Sequence, residues 1–271
     1  MKKLIAVDVD GTLVNSDKVM TPRTRKALMR AIEEGHHVMI VSGRQTAGLL
    51  SLADELDFSR LGGLLSAFNG GMIYDFKNKK TLANHTLDLD LAREILDYSK
   101  DLDLELMVPS GDYIYTDKAG QSYVEKEARI LEVGIKVVPH IRDNLTFAPN
   151  KFLFAQDPDK IDGEIAGLID NFGDETVQVK SSRFYHEIMP LGLSKGNSLK
   201  EAADLLGVAM EDVIAFGDEM NDMSMLEVAG TSVAMGNAVD PVKEVADHIT
   251  LSNDEDGIAH FLEKHILRKD K

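Results

Sequence analysis

Asp8 and Asp10 stand at the end of a short apolar run, Leu4-Ile5-Ala6-Val7, with Val9 between them. Such a run reads as a strand buried on both faces of a parallel sheet. Residues two apart in an extended chain project the same way, so both carboxylates enter one space beyond the strand's end. Gly11 permits a sharp turn, and Thr12 adds a hydroxyl to it. Like charges held this close repel and shift each other's pKa unless a cation lies between them. The strand end therefore calls for a metal. Asp-Gly alone also fits a hairpin, but a hairpin needs its second strand at once, and Thr21-Pro22 opens a helix instead. A calcium loop counted from Asp8 needs Gly at its sixth position and Glu at its twelfth, where Leu13 and Val19 stand.

Three more polar clusters follow the same grammar. Ser42-Gly43-Arg44 ends the apolar run Val38–Val41, and Gly217-Asp218-Glu219-Met220-Asn221-Asp222 ends Val213–Phe216. Lys195 sits in the first turn of a helix that Ser194 can cap, where its charge opposes the helix dipole unless an anion is near. Each cluster alone fits an ordinary loop or a solvated lysine. Together they describe acids for a metal, hydroxyls and backbone amides for an anion, and one cation. Asp8, Asp10 and Asp218 bring three negative charges and a phosphate monoester nearly two more, against the single charge of Lys195. A divalent ion closes most of that gap, and an all-oxygen ligand set favours magnesium over zinc. His36-His37, His260 and His265 lack the company of a zinc site.

The elements that must position these groups read in order. A helix runs from Thr21-Pro22 to Gly35, with Ala27, Leu28, Ala31 and Ile32 on its apolar face. A second strand at Val38–Val41, a helix through Leu56 and a third strand at Leu64–Ala67, ending at Asn69-Gly70-Gly71, repeat the strand–loop–helix pattern of a parallel α/β sheet. Near residue 84 the pattern changes to hairpins mixed with helices. Strands are expected at Glu105–Val108, Tyr113–Thr116, Lys151–Ala155, Val177–Lys180 and Phe184–Ile188, with helices at Asp88–Ser99, Tyr123–Leu131 and Asp159–Asn171. The first pattern resumes with a helix at Lys195–Leu206 and strands at Val213–Phe216, Ser232–Met235 and His248–Thr250. The expected organisation is an α/β parallel-sheet core, residues 1–83 and 190–271, interrupted by an α+β insert, residues 84–189.

With 271 residues, 44% of them hydrophobic and 28% charged, the chain can build an ample core. No apolar run approaches the ~20 residues of a membrane span, and Met1-Lys2-Lys3 leads straight into a strand instead of a secretory signal. Cysteine is absent, which excludes thiolate chemistry and suits the cytoplasm. The net charge of −16 repels nucleic acid and anionic membranes, and an anion site here needs strong local positive charge.

Asp8-x-Asp10-x-Thr12, Ser42, Lys195 and Gly217-Asp218-x-x-Asn221-Asp222 resemble, in order and separation, the four motifs of the haloacid dehalogenase superfamily. The insert between the second and third motifs is similar to the type 2 cap of that superfamily. Ser42-Gly43-Arg44, Asn69-Gly70-Gly71, Glu187-Ile188-Met189-Pro190 and Lys195-Gly196 narrow the resemblance to Cof-type sugar-phosphate phosphatases. It covers essentially the whole chain and implies a Rossmann-like core.

The resemblance also implies roles. Asp8 is then the nucleophile, forming an aspartyl-phosphate, and Asp10 the acid that protonates the leaving alcohol and the base that activates water. Magnesium is held by the Asp8 carboxylate, the Asp10 backbone carbonyl and Asp218, supported by Asp222 and Asn221. Thr12, Ser42, Gly43, Asn221 and Lys195 bind phosphoryl oxygens, with Arg44 in the same pocket. The acid at position 10 matches phosphatases and phosphomutases; dehalogenases lack it and ion-pumping ATPases carry Thr there. The implied function is magnesium-dependent hydrolysis of small phosphomonoesters such as sugar phosphates. The alternatives are a phosphomutase, a dedicated disaccharide-phosphate phosphatase, or a non-catalytic phospho-receiver or phosphate-binding module. The expected partner is a small phosphorylated metabolite, not nucleic acid or membrane.

Overall fold

A computed structural model describes residues 2–268 of the chain. Its contacts divide into two units: one holds the segments up to Gly43, Leu49–Ala83 and from Ser194 onward, the other Arg44–Gly48 and Asn84–Leu193.

The first unit is built on an eight-stranded sheet. Its strands are β1 (Leu4–Asp8), β2 (His37–Val41), β3 (Leu64–Ala67), β4 (Met72–Asp75) and β5 (Lys80–Asn84). The second unit contributes β6 (Glu105–Ser110), β7 (Tyr113–Thr116), β8 (Gly134–Val137), β9 (Phe152–Ala155), β10 (Thr176–Ser182) and β11 (Tyr185–Pro190). The chain then returns to the first sheet through β12 (Val213–Gly217), β13 (Thr231–Ala234) and β14 (His248–Ile249).

In the first sheet the order is β14-β13-β12-β1-β2-β3-β4-β5. From β1 the chain steps one way through β2 and β3, and on its return it steps the other way from β12 through β13, all as parallel neighbours. The strand order therefore reverses at the β1–β12 pair. At that point the loops leaving the two strands diverge to opposite sides and open a crevice at their carboxyl ends, the usual ligand site of such a sheet. All of β1 is buried, as its unbroken apolar run requires. Alternate residues feed two layers: Ile5 and Val7 pack with the helices Pro22–Glu33 and Gly257–His265, while Leu4 and Ala6 pack with Lys195–Leu206 and Met223–Val228. Thr21 caps the first of these helices, its hydroxyl accepting from the Thr24 amide at 3.3 Å.

Several expected elements differ. The helix expected to run from the Ser42 loop through Leu56 is a 3-10 turn, Thr46–Leu49, followed by two short helices, Leu50–Glu55 and Phe58–Leu61, because Asp57 takes a left-handed backbone between them. β4 and β5 were not foreseen. β4 turns back antiparallel on β3 through Phe68-Asn69-Gly70, where three successive residues have positive φ.

The second unit is a six-stranded sheet in the order β10-β11-β9-β6-β7-β8. Its pairs are antiparallel except β7–β8. Period-two alternation separates its faces: Phe152 and Phe154 pack under the helices Leu89–Ser99 and Ile161–Phe172, while Leu153 and Ala155 pack against Ser122–Ile130. β8 and the short helix Ile141–Asn144 were also unforeseen: all of β8 is exposed, and each element is only four residues long.

His186 of β11 is buried in this unit, and its Nε2 lies 2.7 Å from Gln178 Oε1. Gln178 Nε2 donates to Leu168 O at 2.9 Å and Thr176 Oγ1 at 3.2 Å, so Oε1 must accept the imidazole Nε2–H. Burial, reinforced by Lys180 and opposed by Glu187, pushes the ring's pKa down to about 4. Unfolding returns it to the ordinary 6.5 and takes up a proton, so His186 costs stability as pH falls from 6.5 towards 4. The expected penalty approaches about 3 kcal/mol. Urea unfolding at pH 7 and pH 4 checks this: the difference between wild type and His186→Phe should change by that order, and a pH-independent difference removes the effect.

Among the described residues, no helix is long and apolar enough to cross a membrane.

Candidate active site

The crevice at the β1–β12 switch holds a buried charged group. Lys195 Nζ donates to Asp8 Oδ1 at 2.7 Å and to Asp222 Oδ1 at 2.6 Å. Lys195 is 2% exposed and Asp222 not at all, so little solvent screens these charges. Asp218, one residue past β12, completes the group: Asp8, Asp218 and Asp222 each offer a carboxylate oxygen within 4.8 Å of the others.

Local chain geometry explains each placement. Asp8 ends β1 opposite Val41 of β2, so Ser42 leaves the neighbouring strand one step further on. Gly217 leaves room for the aspartate that returns over it, since a Cβ there would lie 2.5 Å from Asp222 Cβ. Asp222 then ties the loop down, accepting the Asp218 and Glu219 amides on Oδ2 at 2.9 and 3.1 Å while Oδ1 faces Lys195. Both its oxygens are thus engaged. Gly11 adopts φ +86°, and a Cβ there would meet Asp218 Oδ2 at 2.2 Å, so glycine is required twice over.

The other predicted residues fall in different places. The Thr12 hydroxyl donates to Asp218 Oδ1 at 2.7 Å. Ser42 is buried, its amide donating to Ser66 O at 2.8 Å, and Gly43 lies against the Asn69 side chain. The Asp10 carboxylate stands apart from the buried group, 3.1 Å from Lys18 Nζ. Asn221 is exposed. Arg44 belongs to the second unit, its Nη1 3.5 Å from Gly48 O. Asn69, whose amide donates to Ser42 O at 2.9 Å with its own backbone left-handed, was not singled out as a site residue. The Asn-Gly-Gly turn that carries it was the available signal.

The electrostatics follow from burial with one cation among three acids. Burial pushes Asp8 up to about 7, with Asp222 and Asp218 adding to the rise and Lys195 opposing it. Burial likewise pushes Asp218 up to about 6, helped by Asp222 and Glu219 and opposed by the Thr12 hydrogen bond and Lys195. Burial works against the Lys195 charge too, but Asp8 and Asp222 outweigh it and raise its pKa above the usual range. The ammonium is therefore permanent near neutrality, and the carboxylates want a further positive charge.

Comparison with known proteins agrees with this site and fold. The family model described as haloacid dehalogenase-like hydrolase matches residues 5–262. A haloacid dehalogenase-like hydrolase from Bacteroides thetaiotaomicron of known structure superposes with a TM-score of 0.92 at 34% identity, covering 97% of this chain and 99% of that one. The 5-amino-6-(5-phospho-D-ribitylamino)uracil phosphatase YwtE of Bacillus subtilis is 32% identical over 286 residues, 97% of each chain. The pyridoxal phosphate phosphatase YbhA of Escherichia coli is 29% identical over 282 residues, 98% of this chain and 99% of its own. The chain belongs to the haloacid dehalogenase-like hydrolase family, in its Cof-type branch. Within that family it is a phosphoric monoester hydrolase.

Proposed function

We propose that the chain is a magnesium-dependent phosphatase of small phosphomonoesters, sugar phosphates first among them, working through an aspartyl-phosphate on Asp8. The observation that carries this reading is the Asp8 carboxylate buried at the sheet's switch point and hydrogen-bonded to the Lys195 ammonium at 2.7 Å. Asp8 attacks phosphorus while the bond to the leaving oxygen breaks, and Asp10 gives that oxygen its proton. Water then attacks the acyl phosphate, Asp10 takes its proton, and Asp8 is released with inorganic phosphate. Lys195 and the backbone amides beyond β1 and β2 stabilise the phosphoryl oxygens.

The donor set fits a hard divalent ion. Asp8 and Asp218 offer carboxylate oxygens, and their raised pKa values reflect burial in a site with surplus negative charge. Magnesium held there, with the Asp10 carbonyl, supplies positive charge to the phosphoryl group. Asp222, both oxygens engaged, serves Lys195 and the Asp218 loop instead. Thr12, turned on Asp218, orients that ligand.

The substrate class extends what the names of YwtE and YbhA say of those proteins: each removes phosphate from a small polar metabolite. A panel of such phosphates, assayed by phosphate release with magnesium and with EDTA, tests the reading. EDTA should abolish turnover and magnesium restore it; full activity in EDTA would remove the metal. Metal-free protein should also lose stability as pH rises from about 4 to about 7, since Asp8 and Asp218 hold protons when folded that they release on unfolding. Saturating magnesium should flatten that slope in thermal unfolding, and an unchanged slope would place the ion elsewhere.

A further inference from the structure

The turn that carries Asp10 is hydrogen-bonded by residues outside all four motif clusters. Asp10 lies in a turn that folds tightly on itself, with the Leu13 amide on Asp8 O at 3.0 Å and the Val14 amide on Val9 O at 3.1 Å. From the far end of the chain, Asn237 Nδ2 donates to Gly11 O at 2.8 Å, the carbonyl immediately after Asp10. The Asn253 amide donates to Asn237 Oδ1 at 3.0 Å, which fixes the orientation of the Asn237 amide group. Asn253 Nδ2 then reaches across to Val14 O at 2.9 Å. One residue on, Asp254 accepts both the amide and the hydroxyl of Ser16, at 2.8 and 2.7 Å. Thr21 donates its hydroxyl to Asp256, and Arg23 lies 3.9 Å from the same carboxyl group.

The polar run Ser252-Asn253-Asp254-Glu255-Asp256 has the composition of a solvated loop. Instead it binds the segment after β1 at successive positions from Val14 to Arg23. Asp254 is held below the usual carboxylate range by the Ser16 amide and hydroxyl, as its fixed geometry requires.

We propose that Asn237, together with Asn253 and Asp254, forms a brace that sets the position of Asp10, making these three positioning residues for proton transfer to the leaving group. This rests on the reading of Asp10 as general acid. Two supports grip the turn: Asp218 packs against Gly11 from within, and Asn237 holds its carbonyl from outside. A small displacement of a positioned acid slows the steps that need its proton and spares those that do not. Asn237 is itself exposed, so its hydrogen bonds add little to stability and the variant should fold.

The test compares p-nitrophenyl phosphate, whose leaving group needs little protonation, with an alkyl phosphate such as glycerol 1-phosphate, whose alkoxide needs it fully. Asn237→Asp keeps the acceptor for Asn253 and loses the donor to Gly11. We expect its kcat/KM ratio, alkyl over nitrophenyl, to fall about 10-fold or more below wild type. Asp10→Asn should shift the same ratio further. Asp254→Asn, which keeps an acceptor for the Ser16 amide, should shift it about 3-fold in the same direction. If Asp10→Asn shifts the ratio and neither brace variant does, the brace is wrong and the acid assignment stands. Equal loss on both substrates shows a merely structural role and also overturns it. If Asp10→Asn leaves the ratio unchanged, the underlying reading of Asp10 fails instead.

Discussion

Asp8→Asn should lower kcat by roughly 10⁴-fold or more while leaving the protein folded. The amide matches the carboxylate in shape but cannot serve as nucleophile towards phosphorus. Lys195 keeps its second partner, Asp222, 2.6 Å away, so no cation is orphaned. One of three crowded acids becomes neutral, and the repulsion that Asp222 and Asp218 exert on a charge at position 8 is relieved. The metal-free variant should therefore melt no lower than wild type at pH 8, read by calorimetry in EDTA. Phosphate release within 100-fold of wild type would show that another group attacks, by the arithmetic of a few kcal/mol in the barrier.

Lys195→Met should cost both activity and stability. The side chain is 2% exposed and meets two buried carboxylates, so removing it strands charge in a medium that solvates charge poorly. Breaking such an arrangement costs about 3–5 kcal/mol, which guanidinium unfolding in EDTA at pH 8 would report. The sign of the pH dependence is fixed. Without Lys195, which opposes the rise at Asp8, that carboxyl keeps its proton in the folded state beyond the wild-type value of about 7, so the variant's deficit grows as pH rises above about 7 and shrinks towards acid. Turnover should fall about 10²–10³-fold or more through loss of charge at the phosphoryl oxygens. A variant as stable as wild type at pH 8 would mean that Asp8 and Asp222 do not share a desolvated ammonium.

The two proposals about stability act in opposite directions along the pH axis. His186 weakens the fold as acid is added, while the metal-free carboxylates weaken it as acid is removed. His186 belongs to the second unit and the carboxylates to the first, and each effect is tested by its own substitution.

Much of the core was legible from local pattern. β1 and β12 are apolar runs stopped by acids, and the helix Lys195–Leu206 is bounded by Ser194 and Gly207, whose capping roles depend on near neighbours alone. β4, β5, β8 and the helix Ile141–Asn144 were not: β5 and β8 lie at sheet edges, β4 fully buries one residue of its four, and a single helical turn is too short to show a period.

The types of side chain, their order and the strands that deliver them were set by the sequence, because an apolar run followed by acids has few stable resolutions. Which acids meet the Lys195 ammonium was decided by packing. So were the turning of the Thr12 hydroxyl onto Asp218 and the reach of Asn237 and Asn253 to the Asp10 turn. The Thr12, Asn237 and Asn253 pairings join residues more than two hundred positions apart, and no periodicity or propensity carries information over that distance. Only closure of the sheet, with β12 laid beside β1, brings them within hydrogen-bond reach.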